Sequence, residues 1–150
     1  MPSIGRKKAA GIVLRDEMKT VIVTAALIIE QGKILVTQRM EGSPHRLLWE
    51  FPGGKVKERE EPREALRREL KEELDVEVEV GMIFDAVFYS YPEYPILLLV
   101  YRCRIEKGSL KPIGCHDLRW VNLRELETLA MPPADDPIRK HLGSFEEGFL

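Results

Sequence analysis

The chain has 150 residues, 44% of them apolar and 32% charged, with a net charge of −2. That is enough chain for one domain with a full core, and the balanced charge excludes a field that would draw in nucleic acid or an anionic membrane. The apolar run YPILLLVY is too short to span a bilayer, the basic start MPSIGRKKAAGIVLRDEMKT lacks the apolar stretch of a signal peptide, and two cysteines are too few for a disulfide scaffold. These features predict a cytoplasmic protein, with pairing between Cys103 and Cys115 left open.

In chain order, residues 1–18 read as an extension without an assignable structure, and residues 19–150 as one domain. VIVTAALIIE, the turn QG and KILVTQR read as two strands around a tight turn. MEGSPHRLLWEFPGG reads as a long loop ending in glycines. EEPREALRRELKEEL is the strongest helix, with Pro62 in its first turn behind leading glutamates. EVEVGMIFDAVFYSY and YPILLLVYRCRI are long strands predicted to pair antiparallel through PEYP. LRWV is a short strand, NLRELETL a short helix and PIRKHL a final helical stretch. Such an order predicts a mixed sheet with two or three helices, an α/β (α+β) domain.

The helix poses a chemical question. At 100° per residue, Leu66, Leu70 and Leu74 form a buried stripe, and Glu69, Glu72 and Glu73 adjoin it. Glu64, Arg67, Arg68 and Lys71 fall on the opposite face. Glu69 and Glu73 are a like-charged pair four residues apart, near a helix end that favours cations. A hard divalent cation with oxygen ligands would relieve that repulsion.

GKVKEREEPREALRRELKEELDV resembles the Nudix box. Gly54, Glu60, Arg68, Glu69, Leu70, Glu72, Glu73 and Val76 stand in register with it, and Asp75 replaces a glycine. That glycine would be a left-handed cap, a conformation that Asp tolerates better than most residues. The flanking LLWEFPGGKV and LRWVNLREL…MPPADDPI extend the resemblance to the MutT branch of the family, nucleoside triphosphate pyrophosphohydrolases. The resemblance implies a mixed-sheet α/β/α sandwich with Mg²⁺ as cofactor and Mn²⁺ as a substitute. It implies Glu69, Glu72, Glu73 and the Gly53 carbonyl as metal ligands. Arg68 would pair with Glu60 and orient the catalytic glutamates. Arg39, Phe51 and Asp135 would meet the base, and Gly54 and Lys55 the phosphates. Where the MutT protein has Asn, this chain has Asp135, whose carboxylate accepts hydrogen bonds from the amino or imino groups of guanine or cytosine.

A further carboxylate is found in many members at the position held here by Gly114, and Asp117 is the nearby substitute. His116 is a minor candidate base, and His45 and His141 are read as solvated. The tyrosines of FYSYPEY are read first as packing at a hairpin tip. The expected reaction is hydrolysis of a nucleoside triphosphate, an oxidised purine such as 8-oxo-dGTP or a cytidine nucleotide, to monophosphate and pyrophosphate. The alternatives are a Nudix hydrolase of ADP-ribose or dinucleoside polyphosphates, and a non-catalytic Nudix module that binds nucleotides or a partner. The oligomeric expectation is a monomer or homodimer.

Overall fold

A computed structural model of the chain describes residues 19–145. The expected extension, residues 1–18, lies outside the described residues. Strand β1 (Val21–Glu30) turns at Gln31 and Gly32 into β2 (Lys33–Gln38). Both turn residues have positive φ, 52° and 76°, which suits a tight hairpin whose twist matches its strands. β3 (Trp49–Glu50) and β4 (Gly53–Lys55) follow, then α1 (Pro62–Leu74), β5 (Glu77–Ser90), β6 (Pro95–Lys107) and β7 (Asp117–Val121). The described chain closes with α2 (Leu123–Thr128), a 3-10 turn over Pro133–Asp135 and α3 (Asp136–Gly143).

β1 works as the hub. Its Val21–Ile28 stretch pairs in parallel with Ile96–Cys103 of β6, its Val23–Ala25 stretch antiparallel with β4, and its last two residues with β2. β5 pairs antiparallel with β6, as expected, but its register shifts three times, twice between Val80 and Asp85. β2 carries β3 and β7. The expectation of a plain loop over residues 40–54 is therefore corrected. β3 and β4 are too short to show a period, and their pairing comes from distant strands rather than from local propensity.

Period-2 alternation in β1 sends Ala25 and Leu27 to one face and Ala26 and Ile28 to the other, so both faces are buried. One face packs on α1 through Leu66, Leu70 and Leu74, all with no exposed surface. The other packs on the two C-terminal helices through Leu126, Ile138 and Leu142. This is the expected α/β/α sandwich. Each buried leucine contributes about 1.5–3 kcal/mol, so Leu70→Ala would cost about 2–5 kcal/mol.

α1 begins where Glu61 accepts the Glu64 amide and Pro62 occupies the first turn. It ends at Asp75, in the left-handed conformation at φ 60° and ψ 38°, with its amide bonded to the Lys71 carbonyl. The chain thus keeps the cap geometry without glycine, and Lys71 and Lys111 draw the Asp75 carboxylate outward. α2 starts on a reciprocal pair between Asn122 and Glu125. Cys103 and Cys115 are both free and buried, which resolves the question of pairing.

Candidate active site

The box helix delivers its carboxylates in three different states. Arg68 does not lie on the solvent face, as its angular position suggests, but reaches across the helix end. Its Nε and Nη2 donate to the two oxygens of Glu60 at 2.8 and 2.9 Å, and Nη1 donates to Glu69 at 3.1 Å and Glu72 at 3.2 Å. Nη2 also meets the Lys55 carbonyl at 3.2 Å. These contacts, with the Lys57 amide, hold Glu60 down to a pKa of about 2. Arg68 therefore relieves much of the repulsion between Glu69 and Glu72. Burial raises the Glu69 pKa, with Arg68 opposing, while the Glu72 side chain remains 59% exposed.

Glu73 receives no such relief. Its Oε1 is buried without a hydrogen-bond partner. Burial, then the charges of Glu50 and Glu69, push its pKa up to about 8, and the Gly53 amide offsets this in part. The two adjacent glycines make the site possible. A Cβ on Gly53 would fall 2.0 Å from the Thr24 carbonyl, so only glycine lets β4 lie this close to β1. A Cβ on Gly54 would fall 2.3 Å from Glu69 Cδ, which places that carboxylate directly against the β4 backbone.

From Glu73 a cleft of about 720 Å³ runs along Gly53, Gly54 and Lys55, past Phe51 and Arg39, to Asp135. The Lys55 ammonium lies 5.1 Å over the Tyr94 ring. Phe51 is 3% exposed and forms part of the cleft wall. Arg39 lines the cleft, but Nη1 donates to both Glu50 oxygens at 3.0 and 3.2 Å, and Nε donates to the Pro44 carbonyl at 2.7 Å. Asp135, also on the cleft, starts α3 without a side-chain capping bond, so capping does not account for it. Its carboxyl is buried, and desolvation followed by the nearby Glu50 charge raises its pKa well above the usual carboxylate range. Burial also raises the pKa of Glu50, with Arg39 opposing.

A model of the NUDIX domain matches residues 6–142. The chain belongs to the NUDIX family. It is 37% identical over 121 residues to the CTP pyrophosphohydrolase of Escherichia coli, covering 81% of this chain and 90% of that protein. It is 36% identical over 136 residues to the 8-oxo-dGTP diphosphatase of Haemophilus influenzae, covering 88% and 98%. Among solved structures, that of the E. coli ORF135 protein superposes with a TM-score of 0.74 at 34% identity, covering 87% of this chain and 94% of that one. The MutT protein of Methanosarcina mazei Go1 gives 0.75 at 26%, covering 89% and 97%. The protein is thus a Nudix hydrolase, and the structural neighbours share its mixed-sheet sandwich. No described helix is long and apolar enough to cross a membrane.

Nudix hydrolases generally use divalent metals. The donors here fit one by their chemistry: hard oxygens, and in Glu73 Oε1 a buried oxygen still without a partner. Among the described residues, no three His, Cys, Asp or Glu side chains already form a cation cage. Arg68 instead holds Glu69 and Glu72 in its own fork.

The expected site residues thus divide. Gly53, Gly54, Lys55, Phe51, Arg39, Glu73 and Asp135 share one cleft, whereas Glu69, Glu72 and Arg68 stand beside it. Gly114 packs its backbone on the end of α1, bonded to the Glu73 carbonyl at 3.0 Å. Asp117 turns to the Leu118 amide at 2.8 Å and does not line the cleft. His45 is exposed, as expected, at the cleft edge, whereas His141 pairs with Asp85 at 3.0 Å and is half-buried. Glu50 was missed by sequence reasoning, although a lone carboxylate inside the apolar run LLWEF was a visible signal. Cys115, also on the cleft, is held by burial at a thiol pKa of about 12 and has no acidic chemistry.

Proposed function

We propose that this Nudix hydrolase cleaves nucleoside triphosphates to monophosphate and pyrophosphate, with Mg²⁺ as its metal and Mn²⁺ as a substitute. The observation that carries the proposal is the single cleft joining the box carboxylate Glu73 to the buried Asp135. The names of the relatives, a CTP pyrophosphohydrolase and an 8-oxo-dGTP diphosphatase, support the substrate class.

In this reading Glu69, Glu72, Glu73 and the Gly53 carbonyl hold the metal. The bound ion supplies neutralisation of phosphate charge and a more acidic water. Arg68 keeps Glu69 and Glu72 together beside the cleft, from where they turn to the metal as it binds. Gly54 keeps the floor open beside Glu69, and Lys55 meets a phosphate. No residue of the chain needs to act as a covalent nucleophile.

The base lies between Phe51 and the charged wall of Arg39 and Glu50, with its polar edge on Asp135. Raised pKa values at Glu50 and Asp135 favour a site that holds protons as well as accepting them. A purine lactam or a cytosine amino edge meets that requirement.

The test incubates the protein with Mg²⁺ and canonical and oxidised nucleoside triphosphates, ADP-ribose and diadenosine polyphosphates. Glu73→Gln and a chelator serve as controls. Monophosphate plus pyrophosphate from a triphosphate is expected, with Glu73→Gln lowering turnover about 10²- to 10³-fold. Turnover of ADP-ribose or dinucleotides alone would discard the assignment of the base end.

A further inference from the structure

We propose that Tyr91 is a positioning residue for base selection, fixing the turn that carries Asp135. The inference rests on the nucleotide reading above and adds a determinant outside the box and its flanking motifs.

Asp135 sits on a 3-10 turn closed by its amide on the Pro132 carbonyl at 3.0 Å. The exit side of this turn is braced by Arg139, whose Nη1 donates to the carbonyls of Leu126 and Leu129 at 3.0 and 2.8 Å and whose Nη2 meets Asp136. The entry side is braced from across the cleft. There the Ala134 amide donates to the Tyr91 hydroxyl at 3.1 Å, a link between residues 43 apart in the chain. Ala134 immediately precedes Asp135, so the Tyr91 hydroxyl sets the position of the buried carboxyl to within one peptide unit.

The Tyr91 ring is held in turn. It packs tilted against Tyr89 at 4.6 Å and against His45 at 5.3 Å, which joins the β5–β6 tip to the residue 40–48 loop. A ring with two aromatic neighbours loses little further freedom when a ligand enters, which suits a fixed reading edge. The Tyr91 side chain also lines the cleft, and its hydroxyl serves there as the acceptor that fixes the Ala134 amide.

The test compares wild type, Tyr91→Phe, Asp135→Ala and the double variant by calorimetric titration with a panel of nucleoside monophosphates, alongside triphosphate turnover. Tyr91→Phe keeps the ring contacts and removes only the hydroxyl. It is expected to compress the affinity ratio between the best- and worst-bound bases about three- to tenfold, the effect of one hydrogen bond. In turnover it should move KM for the preferred base and leave kcat in place. Because Tyr91 acts through Asp135, it should compress the ratio no further in the Asp135→Ala background, where no polar side chain is left to position. An unchanged ranking in Tyr91→Phe, an equal loss in both backgrounds, or a wild type that ranks no base would each overturn the inference. A wild type that ranks monophosphates but cleaves no triphosphate would instead refute the functional reading and leave the role of Tyr91 standing.

Discussion

The box helix and the surroundings of Asp135 place their arginines differently, while burial raises carboxyl pKa values in both regions. At the box end, Arg68 distributes four polar contacts among Glu60, Glu69 and Glu72, and leaves one buried carboxylate, Glu73, uncompensated. Around Asp135, burial raises the pKa of both Glu50 and Asp135, and Arg39 forms an ion pair with Glu50 alone. The same residue type thus stands in two settings, told apart by where the arginines lie rather than by burial.

The strongest way to break this contrast is to remove the fork. Arg68→Ala should leave Glu69 and Glu72 to repel each other, lowering turnover about 10- to 100-fold while base preference stays put. Rescue by Arg68→Lys should be poor, because an ammonium cannot span Glu60 and Glu69 together; steady-state rates on two triphosphates check both points. The glycine pair separates chemistry from folding. Gly54→Ala drives a Cβ against the flexible end of Glu69 and should cost about tenfold in activity with little change in melting temperature. Gly53→Ala meets the Thr24 backbone and should lower the melting temperature itself.

The smallest effect sharpens the other end. Folding raises the Asp135 pKa, so the native state keeps a proton that the unfolded chain releases near pH 4. The stability of the wild type therefore falls as the pH climbs above about 4, and Asn at this position carries no such penalty. Asp135→Asn should be more stable than wild type at neutral pH, with the gain fading below about pH 4. Urea unfolding across pH measures this, and a gain that grows toward acid would show the sign to be wrong.

The box end was legible because its parts are local. Helical spacing located the buried leucines, and adjoining glutamates announced a charge problem. Asp75 was readable as a left-handed cap, and Arg68 as the partner of Glu60. The base end was only partly legible. Asp135 and Arg39 could be named by resemblance, but the partner of Arg39 is Glu50, brought opposite by a two-residue strand with no period of its own. The bond from Ala134 to Tyr91 spans two distant turns, and no local pattern encodes it. The parallel alignment of β1 with β6 was likewise invisible, since both read as ordinary apolar strands.

That alignment has a mechanical consequence. Val23, Thr24 and Ala25 of β1 and Ile96 and Leu98 of β6 all line the cleft, and the two strands are hydrogen-bonded neighbours over eight residue pairs. A shift in one strand therefore has to be carried by the other, so the lining they share moves as one. The rim is built separately, from residues 40–48 and 91–94, which meet where His45 touches Tyr91.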